Sequence, residues 1–131
     1  GQLSKLANQV IVAITIGAVS EALILAGGGG ADRAQVREAL QGGFASSRIL
    51  SEHGQRMVQR QFEPGGPAKF RVKDLKNALA AAERLGLDLP ITRLTTELFT
   101  AMVVSGKGDM DHSGLLTHLE AINGLEEEKD A

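Results

Sequence analysis

Residues 10–26 read VIVAITIGAVSEALILA, an apolar run broken only by Thr15, Gly17, Ser20 and Glu21. With the preceding GQLSKLANQ it predicts one helix over residues 2–26, stopped by the four glycines at 27–30. That helix would be roughly 35–40 Å long at ~1.5 Å per residue. It is apolar nearly all round and should therefore be buried on most sides, as the central column of a bundle or in a large subunit interface. The run is slightly short for a bilayer span and carries Glu21, and no charged n-region or cleavage site precedes it. Neither a membrane span nor a signal peptide is expected. Glu21, inside this helix, should be paired or hydrogen-bonded.

Helical periodicity continues down the chain. Residues 32–41 form a second helix, capped by Asp32 and stopped at Gly42 and Gly43, and residues 46–60 a third, capped by Ser46 or Ser47. QFEPGGPAK at 61–69 is a loop, because Pro64, Gly65, Gly66 and Pro67 do not continue a helix. Residues 71–86 make a fourth helix, with Leu75, Ala78, Leu79, Ala82 and Leu85 at helical spacing. Pro90 opens a fifth that reaches Gly106, and a sixth begins at Asp111 or Ser113 and runs to 123. The tail 124–131 should fray in solvent. No strand and no internal repeat is legible. The expected fold is a single all-α domain over residues 1–131, with about six helices around the first.

Composition narrows the function. The net charge is −2, tyrosine and tryptophan are absent and phenylalanine occurs four times. The core is therefore aliphatic, and the chain carries no basic or aromatic footprint for nucleic acid. With no cysteine, disulfides and thiolate chemistry are excluded, which suits a reducing cytoplasm. His53, His112 and His118 lie far apart in sequence without a ligand spacing, so no metal is expected.

Three stretches carry chemistry. Lys5, Asn8 and Gln9 stand at i, i+3 and i+4 and share a face of the first turns. A lysine there opposes the helix dipole. It is either a desolvated general acid and base with a carboxamide orienting a substrate oxygen, or a solvated helix start. Lys73, in VKDL, either meets a ligand's phosphate or carboxylate or stands in water. Gly42 and Gly43, in QGGFASSRIL, form either a backbone anion nest or a helix–helix turn.

The ordered set KLANQ, SEAL, GGFASSRIL, FEPG, KDL, LP and DHS resembles the C-terminal domain of the β-hydroxyacid dehydrogenase family over almost the whole chain. The likeness is strongest to its tartronate semialdehyde-reducing branch, with the 3-hydroxyisobutyrate-oxidising branch next. It implies a fold like the C-terminal domain of 6-phosphogluconate dehydrogenase and hydride transfer between NAD or NADP and a small hydroxy acid or semialdehyde. A Rossmann domain, absent from this chain, would bind most of the cofactor, so the chain alone is expected to be inactive. The resemblance makes Lys5 the catalytic lysine. Asn8 or Gln9, with Gly42 and Gly43, would bind substrate, and Lys73 would bind cofactor. It also implies a homo-oligomer, dimer or tetramer; an oligomerisation module without catalysis is the alternative. Gly66 stands where the family has an aromatic residue, which implies a reshaped or more mobile loop.

Overall fold

In the computed structural model, which describes residues 1–125, the apolar run is one continuous helix, α1 (Gln2–Gly28). Five shorter helices follow: α2 (Arg33–Leu40), α3 (Arg48–Gln59), α4 (Ala68–Arg84), α5 (Pro90–Met102) and α6 (Leu115–Ile122). α1 touches all five. The described residues contain no strand, only an isolated bridge between Pro67 and Asp111. The all-α expectation holds; residues 126–131 of the expected tail lie outside the described residues.

α1 buries a single stripe, Ala13, Ile16, Val19, Ser20 and Leu23. These residues recur at helical spacing and meet Leu50 and Met57 of α3, Leu75 of α4, Phe99 and Met102 of α5 and Leu115, Leu116 and Leu119 of α6. The Ser20 hydroxyl, inside this core, donates to the Ile16 carbonyl at 2.8 Å. Burial on most sides is not met within this chain. Leu3, Ile11 and Leu25 are 69, 64 and 79 % exposed, because the shorter helices cover only one side of the rod. Glu21 lies on the open side and faces solvent rather than a core partner. α1 has the length and mean hydropathy, 2.2, of a bilayer span, yet its middle forms the core of the bundle.

Caps decide the boundaries. The Asp32 carboxylate accepts from the backbone N–H of Ala34 and Gln35, and Ser47, not Ser46, caps α3 through Leu50 N–H. α4 starts at Ala68, three residues before the expected 71. Its first N–H groups have partners outside the helix: Ala68 donates to the Met110 carbonyl at 2.8 Å and Lys69 to Gly108 at 3.0 Å. α5 ends at Met102 and passes into a π-helical turn, Val103–Lys107, instead of running on as α-helix to Gly106. The sixth helix is split. Asp111 caps a 3-10 turn, His112–Gly114, and the α-helix proper begins at Leu115.

A buried carboxylate of α6 ties down the start of α2 and the end of α3. Glu120 accepts from Arg33 at 2.7 Å and from Arg60 at 2.9 and 3.2 Å. Burial would raise its pKa, but the two guanidiniums outweigh burial and hold it below the usual carboxylate range. The anchor explains two local oddities. Arg60 ends α3 with φ 54°, a conformation usual for glycine, while its side chain reaches Glu120. Gly27 leaves room for Arg33 to pass: a Cβ there would lie 2.9 Å from Arg33 Nε. Replacing Glu120 by alanine removes the carboxylate that both guanidiniums share and should cost about 2–3 kcal/mol. Urea unfolding of the variant measures this loss; a cost below about 1 kcal/mol would show that the anchor contributes little.

Candidate functional site

The first turns of α1 and the outer face of α4 enclose a cleft of about 280 Å³. Gln2, Lys5, Leu6 and Gln9 line it from α1, and Asp74, Asn77, Ala80 and Arg84 from α4. Lys5 and Gln9, one helical turn apart, therefore face the same space. Two cations, three carboxamides and one carboxylate line the cleft, so it is rich in hydrogen-bond donors.

The structure brings only some of the expected residues together. Asn8 is exposed and does not line the cleft, so of the two carboxamides Gln9 stands with Lys5. Lys73 is exposed and outside the lining; its neighbour Asp74 faces inward instead. Gly42 and Gly43 lie in the exposed turn between α2 and α3, also outside the lining, where Ser46 N–H donates to the Gly43 carbonyl. Lys5 is exposed in this chain, not desolvated, because nothing here closes the cleft above it.

Behind Gln9 runs a network that sequence reasoning missed. Arg71 of α4 donates to the Gln9 side-chain carbonyl oxygen, and to His112 Nδ1 from Nη2 at 2.9 Å and Nε at 3.3 Å. It also lies 3.6 Å from the Asp74 carboxylate. His112 Nε2 is 3.2 Å from His53 Nε2, and the two rings meet edge to face. A guanidinium can only donate, so His112 Nδ1 must be the acceptor. The His112 proton is therefore on Nε2, directed at His53 Nε2, and the His53 proton is on Nδ1, 3.9 Å from Asp111 Oδ2. Sequence separation concealed this pair, which lies 59 residues apart.

Asp111 is fully buried. Gly65 and Gly66 N–H donate to one oxygen at 2.9 and 3.0 Å, and Ser113 donates to the other through its N–H and its hydroxyl. Burial raises its pKa, but the hydrogen bonds from Ser113, Gly66 and Gly65 prevail and bring it to about 2. Gly66 is tied into this network by its backbone. It donates to Asp111, accepts from His112 N–H at 2.8 Å, and a Cβ there would meet the His112 ring at 3.3 Å. An aromatic side chain at 66 would have to displace the ring.

His53, Asp111 and His112 offer donor atoms within 4.8 Å of one another. They are nonetheless poorly suited to a cation. Their lone pairs accept from Arg71, His112, Ser113 and two glycine amides, and Arg56 lies 3.7 Å from Asp111. Ser113 bonds the carboxylate rather than a histidine, so the cluster is not a nucleophilic triad either.

The family model for the NAD-binding domain of NADP-dependent 3-hydroxyisobutyrate dehydrogenase matches residues 1–119. The chain is 52 % identical over 120 residues to the 2-hydroxy-3-oxopropionate reductase of Escherichia coli, covering 92 % of this chain and 41 % of that protein. It is 37 % identical to a probable mitochondrial 3-hydroxyisobutyrate dehydrogenase-like protein of Arabidopsis thaliana, covering 95 and 37 %. The crystal structure of 3-hydroxyisobutyrate dehydrogenase from Salmonella typhimurium shares the fold, with a TM-score of 0.85 at 24 % identity over 88 % of this chain and 41 % of that one. The chain thus spans about two fifths of the length of the curated relatives it matches.

Burial, then the Arg71 charge, bring the His112 pKa down to about 4 despite Asp111, and burial also lowers that of His53. A histidine whose folded pKa lies below its unfolded value contributes full stability above pH 6.5 and loses it as pH falls. Between pH 6.5 and about 4 the unfolded chain binds more protons, so unfolding free energy should drop by roughly 3 kcal/mol through His112. His112→Asn retains an acceptor for Arg71 but cannot ionise. Urea titrations at stepped pH should show a shallower acid limb in this variant; equal limbs would rule His112 out.

Proposed function

The chain belongs to the 3-hydroxyisobutyrate dehydrogenase family, and from that premise we propose that it is the all-helical domain of a cytoplasmic NAD(P)-dependent reductase interconverting tartronate semialdehyde and D-glycerate. The observation that carries this reading is the cleft in which Lys5 and Gln9 face α4 together. The 52 % identity to a 2-hydroxy-3-oxopropionate reductase favours this substrate over 3-hydroxyisobutyrate.

The residues present fit one side of a site that takes a small hydroxy acid beside a nicotinamide. Lys5, Arg84, Gln9 and Asn77 supply donors for carboxylate and carbonyl oxygens. No glycine-rich phosphate loop opening a helix after a strand occurs in the chain, so a dinucleotide would be held chiefly by a second domain. When bound, the nicotinamide supplies or accepts the hydride. During reduction, negative charge grows on the substrate carbonyl oxygen. The Lys5 ammonium stabilises that charge and donates the proton to the oxygen; in the oxidising direction the neutral amine takes it back. Gln9 donates to a substrate oxygen and fixes its distance from Lys5 Nζ. A domain closing over the open cleft would supply the desolvation of Lys5 that this chain does not.

A homo-oligomer, dimer or tetramer, is part of the proposal. Ile11, Ala18 and Leu25 recur every seven residues on the uncovered side of α1, and Phe44 stands fully exposed in the α2–α3 turn. A second copy would cover such a face.

In the full-length protein, Lys5→Ala should lower kcat by about 10²–10⁴-fold with tartronate semialdehyde and either NADH or NADPH, leaving the thermal transition in place. Undiminished turnover would remove Lys5 from the chemistry. Sedimentation equilibrium of the same protein should give a dimer or tetramer that Ile11→Glu weakens. A wild-type monomer at tens of micromolar would refute the assembly.

A further inference from the structure

Among the described residues, Gln9 is the only carboxamide of the Lys5 cleft with a hydrogen bond to a side chain behind it. Its partner, Arg71, is donor-only, so the Gln9 atom facing it is the carbonyl oxygen whatever the assigned rotamer. The amino group is the end left for the cleft. Arg71 is in turn held in place. Its side chain is 11 % exposed, its Nε and Nη2 are committed to His112 Nδ1, and its Nη1 lies 3.6 Å from Asp74. His112 is fixed by the ring of His53 and by its own backbone N–H on the Gly66 carbonyl. The guanidinium thus spans a rigid histidine pair on one side and a cleft residue on the other.

We propose that Arg71 is a positioning residue: anchored on His112, it turns the Gln9 carboxamide so that its amino group faces the cleft, and thereby selects ligands presenting an acceptor oxygen beside Lys5. Without Arg71, the carboxamide rotates and can present oxygen as readily as nitrogen. A substrate carboxylate or carbonyl oxygen would then meet a like dipole in part of the population. The loss falls on binding of the oxygen, because Lys5 and its proton are untouched. No sequence rule would single out Arg71, which stands two residues before the Lys73 that motif reading favoured.

The inference rests on the proposed substrate cleft, and a double-mutant cycle in the full-length protein separates the two. D-glycerate is the probe, its Kd measured by calorimetry on the NAD(P)H-loaded enzyme, which cannot turn it over, and its KM and kcat in the oxidising direction with NAD(P)⁺. Gln9→Ala and Arg71→Gln should each raise Kd and KM roughly tenfold or more, with kcat changed less. The double variant should be no weaker than Gln9→Ala alone, because Arg71 acts through Gln9. If Arg71→Gln is poorly folded, Arg71→Lys takes its place in the cycle; one ammonium cannot span both His112 and Gln9, so the same loss and the same non-additivity are expected, to a smaller extent. Should Gln9→Ala leave Kd and KM unchanged, the substrate cleft itself is misassigned. Should Gln9→Ala weaken binding while the Arg71 substitution weakens it by the same further factor in the Gln9→Ala background, the cleft stands and the positioning role of Arg71 falls.

Discussion

The buried carboxylate of Asp111 is the point on which the cleft end of this domain depends. A fully buried anion is tolerable only when its oxygens are occupied, and here backbone amides from Gly65, Gly66 and Ser113 and the Ser113 hydroxyl occupy them. Those bonds join the loop before α4 to the turn before α6. His112 follows immediately in chain and is seated against Gly66, which sets the ring at the distance that Arg71 requires. From Arg71 the order passes to Gln9 and so to the cleft.

α1 serves both ends of this arrangement. Its central stripe is the core, the start of α2 just beyond it is tied to α6 through Arg33 and Glu120, and its first turns present Lys5 and Gln9. One helix therefore links packing to the position of the two cleft residues. Its other side is left apolar and open, which is why this chain accounts for only part of the hydrophobicity in residues 10–26. The active site and the assembly surface in the proposed function draw on the same helix.

The cleft and its backing network differ in how readable they were. Lys5 and Gln9 were legible because contact within a helix follows from spacing alone. The same spacing did not separate Asn8 from Gln9, since either could have faced α4; only the packing of α4 against α1 chose Gln9. Lys73 and the glycines at 42 and 43 came from motif matching, which names neighbours in sequence rather than in space, and the inward residue at the motif proved to be Asp74. Arg71, His53 and His112 had no local pattern at all. The contacts that give them meaning join residues 41 to 62 positions apart.

Helix number, order and caps were determined by the sequence itself, because periodicity, glycine stops and side-chain caps act over a turn or two. One boundary was misjudged because a distant partner intervened, the Met110 and Gly108 carbonyls extending α4 back to Ala68, whereas the Asp111 cap that starts the last helix as a 3-10 turn is local. Which side of α1 is buried, which carboxamide meets Lys5 and which way that carboxamide points were decided by tertiary structure alone. Each depends on a donor or a surface brought from far along the chain, and local propensity carries no information about such a partner.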